Sequence, residues 1–160
     1  MRQRAAAALG IIAIVFLAAL GASAVARPLS SPADTPQAVA DKAFGHLKDA
    51  LATGAWDPFF AMLDDNFEFW FPTGKFIGRH KGKAEAMDFF RYVSTAFPGG
   101  LRVTDVLHRT GGGTTFVYEF VDEGSLRGDP YQNRVAISLD VCGARICGYR
   151  EYFGSDGKPR

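Results

Sequence analysis

The chain has 160 residues, 22% of them charged and 48% hydrophobic, with 18 lysines and arginines against 17 acids. That length suits one domain and leaves little room for a second. A nearly neutral charge with no block of one sign offers no field for holding nucleic acid or an anionic membrane, and argues against both as partners.

Arg2 and Arg4 precede an uncharged apolar run from Ala5 to Leu20. Ala22-Ser23-Ala24 and Ala24-Val25-Ala26 then each present the small-x-small pattern of a signal-peptidase site. Residues 1–26 are therefore expected to be a secretory signal peptide cut after Ala26, giving an exported protein of the bacterial periplasm or exterior. The alternative is an uncleaved anchor, because Ala5 to Ala26 approaches the length of a bilayer span. Small residues that dilute the hydrophobicity, and Arg27-Pro28 directly after, argue for cleavage. No cysteine precedes Cys142, which excludes a lipoprotein anchor. Losing Arg2 and Arg4 takes the 18 basic residues to 16 against 17 acidic ones, a net charge of about −1.

Residues 27–34 are short and rich in Pro and Ser, a linker. Thr35-Pro36 is a helix start, a capping side chain followed by proline at the first helical position. Val39, Ala43, Leu47, Ala50 and Leu51 recur at helical spacing until Gly54. Asp57-Pro58 repeats the start signal for a shorter helix, Phe59 to Leu63. Asp64-Asp65-Asn66 is turn chemistry, after which Phe67, Phe69 and Phe71 alternate with Glu68 and Trp70 as in a half-buried strand. Phe76 to Gly82 is expected as a glycine-bracketed loop, and Lys83 to Phe97 as a third helix ended by Pro98-Gly99-Gly100. Strands are expected at Arg102 to Arg109, Thr114 to Glu123, Tyr131 to Cys142 and Arg145 to Phe153. Turns at Gly111 to Gly113, Gly124 to Pro130 and Gly143-Ala144 separate them. The polar segment 155–160 is expected to be a flexible tail.

Helices segregated from a run of strands give an α+β domain over 35–154. Its curved antiparallel sheet, with three helices from the N-terminal half on the concave side, leaves a cone-shaped cavity suited to a small apolar ligand. Fourteen phenylalanines, five tyrosines and two tryptophans supply the core and rings for such a cavity. Cys142 and Cys147 flank the last turn. After export they form a plausible cross-hairpin disulfide, worth roughly 2 kcal/mol for so short a loop. A metal site there is not expected, since four ligands are needed and no histidine lies close in sequence.

Three stretches carry a family resemblance. Ala61-Met62-Leu63-Asp64-Asp65 runs into an aromatic strand. Phe76-Ile77-Gly78 leads through Gly82 to the helix with Phe89-Phe90. Gly128 to Arg134 is followed by Gly148-Tyr149-Arg150-Glu151-Tyr152-Phe153. Together, over about residues 37–154, they resemble the SnoaL-like, nuclear-transport-factor-2-like (NTF2-like) superfamily, whose members include ketosteroid-isomerase-related proteins. The resemblance implies the cone fold and a homodimer. It says little about reaction, because the family spans isomerases, cyclases, hydrolases and dehydratases.

Glu151 is the principal catalytic candidate. Strand alternation groups it with Tyr149 and Phe153, and the same face is expected to carry Ser138 and Asp140. A carboxylate among rings is desolvated, so its pKa should rise into the range useful for a general acid or base. The matching position serves the chemistry in phenazine-biosynthesis and epoxide-hydrolase relatives. The competing assignment is a solvated carboxylate or an ion pair with Arg134. His80, in the basic loop Gly78 to Gly82, is a second catalytic candidate beside its reading as a solvated residue. Tyr149, Tyr118, Trp70 and Glu119 are ligand-binding candidates, each weighed against a place in the core or on a wet strand face. Two departures matter. Trp70-Phe71-Pro72 lacks the aspartate that ketosteroid isomerases carry there, and Thr114 to Val121 lacks the arginine of limonene-epoxide hydrolases. Three functions follow as expectations: cofactor-independent acid–base catalysis on an apolar small molecule, non-catalytic binding of one, or envelope assembly.

Overall fold

The computed structural model describes residues 34–154; the expectations for a signal peptide, for 27–33 and for a tail fall outside them. Helix α1 (Pro36–Thr53) starts as its sequence dictates, with the Thr35 hydroxyl accepting from the Ala38 amide at 3.2 Å. Gly54 closes it in the left-handed conformation, φ 80°, where a side chain would be strained. Its buried face is Val39, Ala40, Ala43, Phe44, Leu47 and Ala50, three or four residues apart. Helix α2 (Asp57–Phe60) is shorter than expected, because strand β1 (Leu63–Phe71) already begins at Leu63. Asp64 still behaves as a turn residue, its carboxylate accepting from the Asn66 amide at 2.9 Å. The outcome is an irregularity inside β1, where the register shifts between Leu63 and Glu68.

The expected loop after β1 is instead ordered structure. A 3-10 turn (Gly74–Phe76) leads into strand β2 (Gly78–Lys81), which pairs antiparallel with Glu68 to Phe71 and satisfies the exposed edge of β1. Helix α3 (Lys83–Ala96) buries Ala86, Phe89 and Phe90. Strands β3 (Leu101–Gly112), β4 (Thr115–Leu126), β5 (Asp129–Cys142) and β6 (Arg145–Phe153) follow as an antiparallel meander. Strands β3, β4 and β5 run longer than expected because the turns are tighter, while β6 has its expected bounds. The β4–β5 reversal needs only Arg127 and Gly128, both at positive φ (54° and 102°), as a two-residue hairpin turn requires.

The sheet order is β2-β1-β6-β5-β4-β3. It is mixed rather than wholly antiparallel, since β6 lies parallel to β1 while the other four pairings are antiparallel. The inner face presents Phe67 and Phe69 of β1, Tyr149 of β6, Val135, Ile137 and Leu139 of β5, and Phe116, Tyr118 and Phe120 of β4 to the helices. Phe89 of α3 stacks on Phe69 (4.8 Å between ring centroids), and Phe44 of α1 stacks on Tyr118 (4.2 Å). Cys142 and Cys147 are joined as a disulfide, with Cα atoms 5.7 Å apart. Among the described residues no helix is long and apolar enough to cross a membrane.

Candidate functional site: an acid pair in an aromatic cavity

Between α1, α3 and the inner sheet face lies a cavity of about 360 Å³, within the range of small-molecule sites. Leu47, Phe71, Phe89, Phe90, Val93 and Phe120 give it apolar walls. Lys75 and Arg127, both exposed, stand at its rim. Its polar wall is built by two strands. Alternation along β4 continues from Phe116, Tyr118 and Phe120 to Asp122, which is 3% exposed. Alternation along β6 brings in Tyr149 (3% exposed) and half-buried Glu151.

The Tyr149 hydroxyl donates to the Glu151 carboxylate in a very short hydrogen bond. Burial pushes the Glu151 pKa up to about 7. The Tyr149 hydrogen bond opposes that rise and the charge of Asp122 adds to it. Burial likewise raises Asp122 to about 7, against the pull of the backbone amides of Asp122 and Asn133. Tyr149 rises well above the usual phenol range, through burial first and the neighbouring carboxylates second. Asn133, 1% exposed, faces Asp122 across the β4–β5 ladder and donates from Nδ2 to the Tyr131 hydroxyl at 3.1 Å. Asp122 Oδ1 is buried and has no hydrogen-bond partner among the described residues. A buried acceptor in that state costs roughly 1–3 kcal/mol, which an incoming donor would recover.

Of the residues singled out from sequence, Glu151 and Tyr149 meet in this cavity; the others lie elsewhere. His80 is on β2, 2.6 Å from Glu85 Oε1 through Nδ1 and 3.1 Å from the Phe76 carbonyl through Nε2, its ring stacked on Phe69. Tyr118 is core: besides its contact with Phe44, it donates to Asp41 at 2.7 Å, and Asp41 also holds Arg109 at 2.7 Å. Trp70 points to the outer face, where it stacks on Tyr152 beside Arg79 and Arg150. Glu119 alternates with the buried residues of β4 and so also faces outward, opposite His108 and Ala136.

Ser138 and Asp140 are corrected to the outer face as well. Cys142 pairs with Arg145 and Val141 with Ile146, but beyond them a bulge shifts the register so that Ile137, not Ser138 or Ala136, is level with Glu151. One extra residue in β6 exchanges the faces. Asp140 instead holds Arg150 through two hydrogen bonds, 2.5 and 2.9 Å, and accepts from Thr115 at 2.7 Å. That guanidinium keeps its pKa below the usual carboxylate range. Asp122 was not among the residues singled out from sequence, although the two-residue period from Phe116 through Phe120 puts it on the buried face. No three His, Cys, Asp or Glu side chains among the described residues are grouped to hold a metal ion.

Three helices against a bent six-stranded sheet, with acids in an apolar hollow, define an α+β cone with an internal cavity. The SnoaL-like domain family matches residues 45–149, and the chain belongs to that family. Among solved structures, an NTF2-like protein from Anabaena variabilis is similar at 47% identity and TM-score 0.75, over 82% of this chain and 98% of that one. An LEH-like epoxide hydrolase of M. tuberculosis is similar at 21% identity and TM-score 0.58, over 72% and 83%. A protein with a cystatin-like fold from Xanthomonas campestris is similar at 14% identity and TM-score 0.66, over 76% and 92%. The last two likenesses concern the fold alone. No curated protein matches the chain.

Proposed function

We propose that the chain is an exported SnoaL-like pocket protein that moves protons on an apolar small molecule without a cofactor. The observation carrying this reading is that Glu151, held by Tyr149, and the partnerless Oδ1 of Asp122 belong to one aromatic cavity. Two carboxyls with pKa values near 7 can each give or take a proton at neutral pH, the condition that general acid–base catalysis needs. Glu151 moves the proton, Asp122 is the second acid, and Tyr149 orients Glu151. Isomerase, dehydratase, cyclase and hydrolase steps all fit this machinery.

The small molecule that leaves with the native protein, identified by mass spectrometry, is the substrate to assay. Glu151→Gln should then lower turnover by about 10²–10⁴-fold with ligand affinity retained. Unchanged turnover would remove Glu151 from the mechanism. Binding without conversion by the wild type would favour the non-catalytic reading, to which the engagement of His80 with Glu85 and Phe76 lends weight.

Export is supported by the charged, apolar and small-residue order of 1–26 and by the disulfide, a bond suited to an oxidising compartment. Pairing with a second copy is expected from the SnoaL-like family likeness. Protein recovered from the periplasm should begin at Arg27 and sediment as a dimer. An intact Met1, or a monomer, would contradict the corresponding part.

A further inference from the structure

The walls of the cavity carry an imbalance between acceptors and donors. Two carboxyls, Asp122 and Glu151, line it. The neighbouring donors whose bonds are resolved are committed, Tyr149 Oη to Glu151 and Asn133 Nδ2 to Tyr131. Asp122 Oδ1, on a residue 3% exposed, is left without a partner. Around this acceptor-rich end stand the rings of Phe71, Phe89, Phe90 and Phe120, faces that attract cations. Among the described residues, the basic groups lining the cavity, Lys75 and Arg127, are exposed ones at the rim. Lys75 is itself engaged over the rings of Phe76 (5.1 Å) and Tyr92 (5.7 Å), an instance of this aromatic wall holding an ammonium.

We propose that the Asp122–Glu151 pair makes the cavity a receptor for an ammonium group on an apolar body, such as a protonated aryl-alkyl amine. This rests on the reading of the cavity as the ligand site and narrows the class of molecule that enters it. The ammonium supplies N–H donors to these two carboxyls, one to Asp122 and another to Glu151, with the organic body against the rings. A neutral alcohol of the same shape offers one O–H donor and no charge. A carboxylate meets two acids and is repelled.

The ionisable and charged groups facing the cavity are Asp122 from β4, Glu151 and Tyr149 from β6, Tyr131 from β5, Tyr92 from α3, Lys75 from the 3-10 turn and Arg127 from the β4–β5 turn. Of these, Asp122 and Glu151 have pKa values near 7 and change charge there. Selection for cations should therefore strengthen as pH rises through neutrality and fade as both acids take up protons.

The test is calorimetric titration of the full protein with 2-phenylethylamine and with 2-phenylethanol, its uncharged counterpart of similar size, at about pH 8 and about pH 5. The amine should bind at least about tenfold more tightly than the alcohol at the higher pH, a gap of about 1.4 kcal/mol. At the lower pH the gap should close to within about threefold. Asp122→Asn, with folding checked by a cooperative melt, should lose most of the preference while still binding the alcohol. Equal binding of both probes to the wild type would overturn the inference and leave the cavity reading standing. A preference that survives in Asp122→Asn would overturn it equally. Failure of both probes to bind would overturn it together with the cavity reading.

Discussion

Asp122 couples the stability of the fold to pH, and the sign of that coupling is fixed by the direction of its shift. Its folded pKa of about 7 exceeds the ordinary value of 3.8, so the folded chain holds the proton more tightly than the unfolded one. The resulting stabilisation is present in full below about pH 4 and is lost as pH rises to about 7. Compared with Asp122→Asn, the wild type should lose roughly 2–4 kcal/mol across that window. Urea melts of both proteins at several pH values check this, and parallel curves would count against a buried carboxyl. Glu151 could be picked out of the sequence because an acid among Tyr149, Tyr152 and Phe153 is conspicuous. Asp122 was less conspicuous, since Glu123 follows it and two neighbouring acids look like the end of a strand. Trp70 and Glu119 show the opposite error. Each is chemically attractive, but each occupies the odd place in an alternation whose buried members face the helices.

Among the elements, the β5–β6 hairpin combines a tight turn, a bulge and a covalent clip within a few residues. Its disulfide closes a short loop, so the chain-entropy gain is small. Reduction should lower the melting free energy by about 2 kcal/mol without unfolding the domain, as denaturant titration with and without reductant would show. Local signals made the long elements legible. Thr35, Pro36 and Gly54 bound α1 to the residue, and the spacing of Phe116, Tyr118 and Phe120 marks β4. Partner choice was not legible in the same way. The β1–β6 pairing joins Phe69 to Tyr149, far apart in sequence, and no turn residue advertises it. Strand β2 reads as a loop in sequence because its four residues, Gly-Arg-His-Lys, carry no apolar alternation; the open edge of β1 supplies the reason for it to be extended. The bulge at Cys147 was invisible for a similar reason, since a register shift has no compositional mark.

For the molecule as a whole, Phe89 ties the cavity to the core. Its ring touches Phe69, Phe71, Phe76, Phe90 and Tyr149 and also lines the hollow. Phe89→Ala should cost about 3–5 kcal/mol and enlarge the cavity, measured by denaturation and by a shift toward bulkier ligands. The place of β6 between β1 and β5 has a consequence for how the protein comes to exist. Until that strand docks, the β1–β2 ribbon and the β3–β4–β5 meander share no ladder. Closure thus waits on a contact between segments some eighty residues apart, a slow kind of assembly step. Glu151 and Tyr149 ride on the strand that makes it, so they come to face Asp122 of β4 across the cavity in the same event that completes the fold.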